Sequence, residues 1–392
     1  MKKILSFILS VILFIAVSCS ESNRTPGENE IFVDFKSDKP MVAKGPEDLF
    51  NYSDYIDSVA YVPLETTDDC LMGDVRDILF VNNKIFLRDR NTIFIFSRDG
   101  KFISKVSKLG RGHGEYSNLG YWDVNPTNDE ISVYSGGNKM VFVYSIQGDF
   151  LRSAEIEGIP RDFCVLPNGN YLFYTPDYME GHYRGVWQTD PEGKFINQPL
   201  VLSGSSRKII LSNHNFVHLS NGEVGVLGPI GFDNIYHIST DTSVIAYHIT
   251  TNVTIAKSVL ESDDLIDFEN PQFYHLSGYR ETDNLLSFDM TDMRDKNMEI
   301  MYDKQTGKVY TQAWDNNNGN MIGNPFIPGD KMLIVSSGFK SGYGVRLSTI
   351  DATSIMQMPE DMRNQIAPDC TMDSNPVVII DYYKHYCVTL YP

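Results

Sequence analysis

The stretch Asp74–Tyr116, DVRDILFVNNKIFLRDRNTIFIFSRDGKFISKVSKLGRGHGEY, decides the fold. Its short runs of Ile, Val, Leu and Phe are broken at Asn82-Asn83 and again at Asp99-Gly100. Both dipeptides tolerate positive φ, so each marks a tight hairpin between antiparallel strands. The stretch therefore predicts one four-stranded antiparallel sheet. Such a sheet cannot bury both faces alone and needs similar sheets packed on either side.

The chain supplies those sheets. Outer hairpin turns recur at Asp99-Gly100, Gln147-Gly148, Glu192-Gly193, Asp241-Thr242 and Thr306-Gly307, spaced 48, 45, 49 and 65 residues apart. Each sits in a similar phrase: FSRDGKFI, YSIQGDFL, TDPEGKFI, ISTDTSVI and YDKQTGKV. A second series of turns lies inside the units, at VNNKIFL, TNDEISV, PNGNYLF, SNGEVGV, RDKNMEI and PGDKMLI. Six inner turns predict six sheets, and a repeat of roughly 40–50 residues built from four strands is the period of a β-propeller blade. With one outer turn fewer, the sixth blade is expected to close with the early strand Val59–Leu64 beside the late strand Pro376–Tyr383. That pairing removes the exposed edges of an open array. Phe50–Asp57 reads as a short helix or turn, and the acidic insertion ESDDLIDFEN with PQFYHL as a loop or short helix. Ile355–Ile366 takes helical spacing after Pro359 and is expected at the rim.

The 392 residues leave room for two ordinary domains or one large repeat-built domain. Hydrophobic residues at 42% and charged residues at 21% are ordinary for a globular chain, and 22 Tyr with 22 Phe favour strands over helices. A net charge of −18 repels nucleic acid and anionic membrane surfaces, which excludes both as electrostatic partners.

The N-terminus carries an address. Lys2-Lys3 precedes the apolar run Ile4–Val17, which is short for a membrane span, and small residues then lead to Cys19. Residues 1–18 read as a signal peptide, 19–48 as a flexible tether and 49–392 as the propeller. Cys70, Cys164, Cys370 and Cys387 show no metal spacing; a Cys370–Cys387 bridge and buried free thiols are both open.

Three phrases carry a family resemblance: Tyr61-Val-Pro-Leu-Glu-Thr-Thr67 leading to Gly73, Gly110-Arg-Gly-His-Gly-Glu-Tyr116, and Asn375-Pro-Val-Val-Ile-Ile380. In this order, over about Tyr61–Lys384, the chain resembles the six-bladed β-propeller lipoproteins of Gram-negative bacteria. These are NHL-like propellers grouped as domains of unknown function. His113 stands where that family usually has Pro, which loosens the loop and adds a titratable group. The resemblance implies an all-β propeller of four-stranded blades and lipidation at Cys19, since the residues before it resemble a lipobox. It also implies a cell-envelope location at the outer membrane, and brings no catalytic residues with it.

The site residues follow from the loops. The alternating glycines of Gly110–Gly114 suit a blade-to-blade connection in which Arg111 and Glu115 pair internally, or a ligand contact at the propeller mouth through Arg111, His113, Glu115 and Tyr116. In DYMEGHY, Tyr178 and Tyr183 are expected to be exposed on a loop. Asp289, Asp292 and Asp295 in DMTDMRD, and Asp315–Gly319, lack calcium-loop spacing and read as polar turns. His214 and His218 are four apart on a strand, too far for one metal. The expectation is a binding or scaffolding protein rather than an enzyme, with no cofactor. Its partner would be an envelope protein, peptide or glycan, and its one membrane link the N-terminal lipid. The alternative is a lactonase- or lyase-type propeller with channel-bound calcium. A ring of channel carboxylates on different blades favours that enzyme, whereas a plugged channel favours binding.

Overall fold

A computed structural model describes residues 29–33, 55–175, 183–201, 216–227, 234–240, 242–251, 274–292, 297–313 and 345–384. Residues 31–392 form one compact unit. Two strands come first: β1 (Glu30–Val33) and β2 (Ile56–Pro63). The first blade is β3 (Val75–Val81), β4 (Lys84–Asp89), β5 (Thr92–Ser97) and β6 (Phe102–Val106). The second is β7 (Tyr121–Val124), β8 (Ile131–Ser135), β9 (Met140–Tyr144) and β10 (Phe150–Glu155). The third is β11 (Asp162–Val165), β12 (Tyr171–Thr175), β13 (Gly185–Thr189) and β14 (Phe195–Val201). The fourth is β15 (Phe216–His218), β16 (Val224–Leu227), β17 (Asn234–Ile238) and β18 (Ser243–Thr251). The fifth is β19 (Tyr274–Glu281), β20 (Leu285–Asp292), β21 (Asn297–Asp303) and β22 (Val309–Ala313). The sixth combines β23 (Val345–Ile350) and β24 (Val377–Tyr383) with β2, in the order β2-β24-β23.

The hairpin between β3 and β4 turns on Asn82 and Asn83, with φ of 48° and 58°. Two consecutive positive φ values give the primed turn whose twist matches the strands on either side. All five outer turns lie between the third and fourth strands of their blades, as expected. Closure also follows the expected pairing, with Tyr61 opposite Ile379 and Val62 opposite Val378.

An apolar cluster fills every blade-to-blade interface. Leu79 and Phe86 of the first blade meet Trp122 and Val133 of the second. Tyr134 and Val143 of the second meet Phe173 and Trp187 of the third. Leu172 and Val186 then meet Val224 and Tyr236, and Leu227 and Ile235 meet Phe288 and Ile300. Leu285 and Met301 meet Ile56 and Tyr383, and Val378 and Ile380 meet Ile78 and Phe80 of the first blade. Six contacts in succession return to their start, so residues from both chain ends complete the ring.

Several expectations need correction. Glu30–Val33 lies within the span 19–48 read as a tether, yet it adds a fifth strand at the outer edge of the fourth blade. Ile31 and Val33 are fully buried there, because Ile-Phe-Val alternates inward and outward as a strand requires. In the fifth blade the turn between the first two strands falls at Thr282–Asn284, not at RDKNMEI, which spans the next connection. Ile56 and Asp57, expected in a helix or turn over Phe50–Asp57, open strand β2 instead, and 50–54 lie outside the described residues. Asp289 lies within β20 instead of a turn. The rim helix is α2 (Glu360–Ile366), beginning directly after Pro359, and a short helix α1 (Ala352–Met356) precedes it. Ile355 and Ile366 cover Ile350, Val377 and Ile379 on one face of the sixth blade. The end of PQFYHL, expected as a loop or short helix, opens strand β19 at Tyr274, while the PGDKMLI turn, ESDDLIDFEN and Asp315–Gly319 lie outside the described residues.

Candidate functional site

Because each blade is an antiparallel meander, the two ends of the ring differ in kind. One end carries tight turns, such as 82–83, 98–101, 190–194 and 282–284. The other carries the connections between blades, including 64–74, 107–120 and 156–161, and the helices before β24. Among the described residues the tight turns themselves expose no large apolar side chain, although the outer strands that leave them do, at Ile103, Leu151, Phe195, Ile196, Val244 and Ile245. The connection end exposes four: Leu71 at 56%, Leu109 at 55%, Ile159 at 48% and Met372 at 58%.

Loop 107–120 carries the densest expected site, and its glycines hold an anion from within the chain. The N–H of Gly112 donates to Glu115 Oε2 at 2.7 Å, and a Cβ on Gly110 would overlap that same carboxylate. Glu115 thus occupies the hollow between these glycines, and it is Gly112 N–H rather than the expected Arg111 that holds its carboxylate. Tyr116 is fully buried; its hydroxyl donates to the Asn91 carbonyl at 2.5 Å and accepts from Lys108 N–H at 3.2 Å. Burial pushes its phenol up from the ordinary value. Tyr144 donates to the Gly114 carbonyl, and the His113 ring meets Phe150 edge-on at 4.9 Å. Glu115 and Tyr116 therefore shape the loop, while Arg111 and His113 are exposed beside Leu109.

Tyr183, expected in the open, is half-buried. Its ring stacks on Phe195 at 4.5 Å and 5° and lies 5.1 Å from Trp187, because an aromatic beside a Trp face gains more by covering it than by standing in water. Tyr178, Cys19, His214 and Cys387 lie outside the described residues. Cys70 and Cys164 are buried thiols and Cys370 is a partly buried one.

The innermost strands carry acids that spacing alone did not reveal. Asp77 Oδ2 accepts from Trp122 Nε1 of the next blade at 3.2 Å. Asp162 Oδ2 accepts from Phe216 N–H of the next blade at 3.3 Å. Asp123 Oδ2 accepts from Val165 N–H at 2.7 Å and faces His218 Nε2 at 2.8 Å, two blades away. Asp123 and His218 are both buried, and the pair links the innermost strands of the second and fourth blades. These carboxylates clip blades together, and among the described residues no three His, Cys, Asp or Glu side chains converge as a metal site. Their one visible signal in sequence was an acid near the start of an apolar strand.

Two further acids lie around the fifth blade, Glu281 buried and Asp289 half-buried. Glu281 bonds His237 Nε2 at 2.9 Å and Lys304 Nζ at 2.6 Å, and Tyr279 also donates to it. Burial works to raise the Glu281 pKa, but His237 and Lys304 outweigh it and hold the carboxyl below its ordinary range. At Asp289 burial wins: it raises the pKa to about 6, Arg280 opposes it and Glu299 adds to it. A folded-state pKa above the unfolded value favours the protonated form. The stability tied to Asp289 is therefore fully present below about pH 3.9 and is lost as pH rises through about 6. Asp289→Asn is expected to raise the melting temperature by several degrees at pH 7.5 and by clearly less at pH 4.5. Equal shifts at both pH values in scanning calorimetry would refute this.

A family model described as a domain of unknown function, DUF4934, matches residues 41–381. No curated protein matches the chain. The crystal structure of a Bacteroides fragilis NCTC 9343 protein described as exported aligns with a TM-score of 0.66 at 17% identity, covering 91% of this chain and 100% of the other. A DUF4221 family member from Bacteroides vulgatus aligns with a TM-score of 0.44 at 10% identity, over 84% of this chain and 97% of its own. Among the described residues no helix is long and apolar enough to cross a membrane.

Proposed function

This chain belongs to the DUF4934 family, a domain of unknown function, and we propose that it is a binding scaffold of the cell envelope that recognises a protein through the connection end of its ring. The observation that carries this is the contrast between the two ends. Leu71, Leu109, Ile159 and Met372 stand exposed on four separate connections, whereas among the described residues the tight turns at the other end carry none, and the apolar residues near them lie on the outer strands. Apolar side chains held on a rigid scaffold and flanked by polar residues are characteristic of a protein-binding surface. Arg111 and His113 supply the polar contacts beside Leu109. The Asp123–His218 bridge supports binding over the lactonase alternative, since it pairs with each other an inner-strand carboxylate and imidazole that an ion on the ring axis would draw on as ligands. Export is supported by the similar exported protein, and attachment through a lipid on Cys19 by the apolar run and small residues before it.

The test is crosslinking with mass spectrometry on the full chain expressed in a Gram-negative envelope. A Leu71→Ser, Leu109→Ser, Ile159→Ser triple variant is expected to lose its crosslinked partner at least tenfold while melting within a few degrees of the parent. Asn168→Ser with Asn221→Ser, on the turn end, should retain it, and Cys19→Ala should leave the membrane fraction. Retention of the partner by the triple variant would refute the binding face. Calcium-dependent turnover of a lactone or ester would restore the enzyme alternative.

A further inference from the structure

The outer edge of the fourth blade is built differently from its neighbours. In three places the turn glycine of one blade sits against an outer-strand carbonyl of the blade before it: Gly100 on Pro63, Gly148 on Lys105 and Gly193 on Glu155. At the fourth-to-fifth junction the equivalent turn glycine, Gly307, has nothing among the described residues within 4 Å of the place a Cβ would occupy. Strand β1 lies at this edge, hydrogen-bonded to β18. Ile31 and Val33 enter the apolar cluster containing Ile249 and Tyr302, with Tyr247 and Val309 packed against it, while Phe32 is 52% exposed.

Three features make this strand a poor permanent fixture. It is four residues long, whereas β18 offers nine. Among the described residues it is an edge strand, with no further strand outside it in the sheet. Twenty-two residues separate Val33 from Ile56 in the sequence, so β1 is not the direct continuation of β2.

We propose that the junction between the fourth and fifth blades is a strand-binding slot, held by β1 in the free protein and open in trans to an extended peptide with apolar residues at alternate positions. Main-chain hydrogen bonds to a sheet edge supply affinity in this mode of recognition, and pockets for alternate side chains supply selectivity. A second copy of the chain gains nothing by exchange, because it brings the same four-residue strand that is already bound with the advantage of intramolecular concentration. A longer strand gains by pairing along more of β18. The observations therefore favour a foreign peptide over a swapped dimer.

The test uses the full chain with Ile31→Asp and Val33→Asp, which unseat β1. The probes are two fluorescein-labelled peptides: residues 27–36 of this chain, and a nine-residue peptide with Ile or Val at alternate positions. Both are expected to bind the double variant at least tenfold more tightly than the intact chain, the nine-residue peptide more tightly of the two. Versions with Asp at the apolar positions should not bind. A folded double variant that binds neither peptide, or binds the Asp versions equally, overturns the proposal. So does a concentration-dependent dimer of the intact chain that the double variant loses, because it gives the slot to a second copy. If the double variant fails to fold, amide exchange on the intact chain decides. Exchange in residues 30–33 that is at least a hundredfold faster than in β17 supports a displaceable strand, and equal rates overturn it.

Discussion

Asn375→Ala is expected to destabilise the protein by about 3–5 kcal/mol, because it strips partners from three backbone groups at once and an orphaned buried group costs roughly 1–3 kcal/mol. The side chain is 3% exposed. Its Oδ1 accepts from Met72 N–H at 2.9 Å, and its Nδ2 donates to the Glu65 carbonyl at 2.7 Å and the Cys70 carbonyl at 2.9 Å. Its own N–H donates to Thr66 Oγ1 at 2.9 Å. One residue just before the last strand thus ties down the loop that leads from β2 into the first blade, across more than 300 residues of sequence. Asn375→Asp should be about as damaging, since it keeps the shape but loses both donors and adds a buried charge. Thr66→Val, which removes a single acceptor, should cost only about 1 kcal/mol. Chemical denaturation measures all three. Amide exchange should show β2 and β24 opening ahead of the other blades in the Asn375 variants. A midpoint for Asn375→Ala close to that of Thr66→Val would show that the clasp contributes little.

That clasp also explains what was legible in the sequence. The phrases from Tyr61 to Thr67 and from Asn375 to Ile380 looked like two separate family marks, and the structure makes them one joint. The outer turns were readable because Asp-Gly and Gln-Gly declare positive φ locally, and their spacing needed no tertiary information. Closure was readable from an unpaired apolar strand at each end. The failures have physical causes too. Strand β1 is shorter than any reliable periodic signal, and its pairing with β18 is set by a gap more than two hundred residues away. The Asp123–His218 bridge joins positions 95 apart, and neither residue has a distinctive neighbour. At Gly110–Tyr116 charge pairing suggested Arg111 as the partner of Glu115. The backbone N–H of Gly112 was nearer and already fixed in place.

Gly148→Ala and Gly193→Ala are each expected to cost roughly 3–4 kcal/mol, against about 1 kcal/mol for Gly307→Ala, from left-handed strain of about 1–2 kcal/mol plus overpacking of about 1–3 kcal/mol where the neighbour cannot retreat. All three glycines have positive φ, at 82°, 88° and 69°. The backbone strain is therefore nearly the same in each, and surroundings account for the difference. A Cβ on Gly148 would lie 2.5 Å from the Lys105 carbonyl oxygen, and one on Gly193 closer still to that of Glu155. These oxygens belong to β6 and β10, whose positions are held by pairing with β5 and β9. Neither is able to move without opening the junction between two blades. Gly307 faces open space, so its alanine meets only the strain of the turn. The ratio of the effects tests the architecture more sharply than any one value, because it compares the same substitution in the same turn of three blades. Equal losses at all three positions in denaturant titrations would mean that conformation alone sets the cost, and that blade-to-blade contact at the outer turns does not hold the ring together.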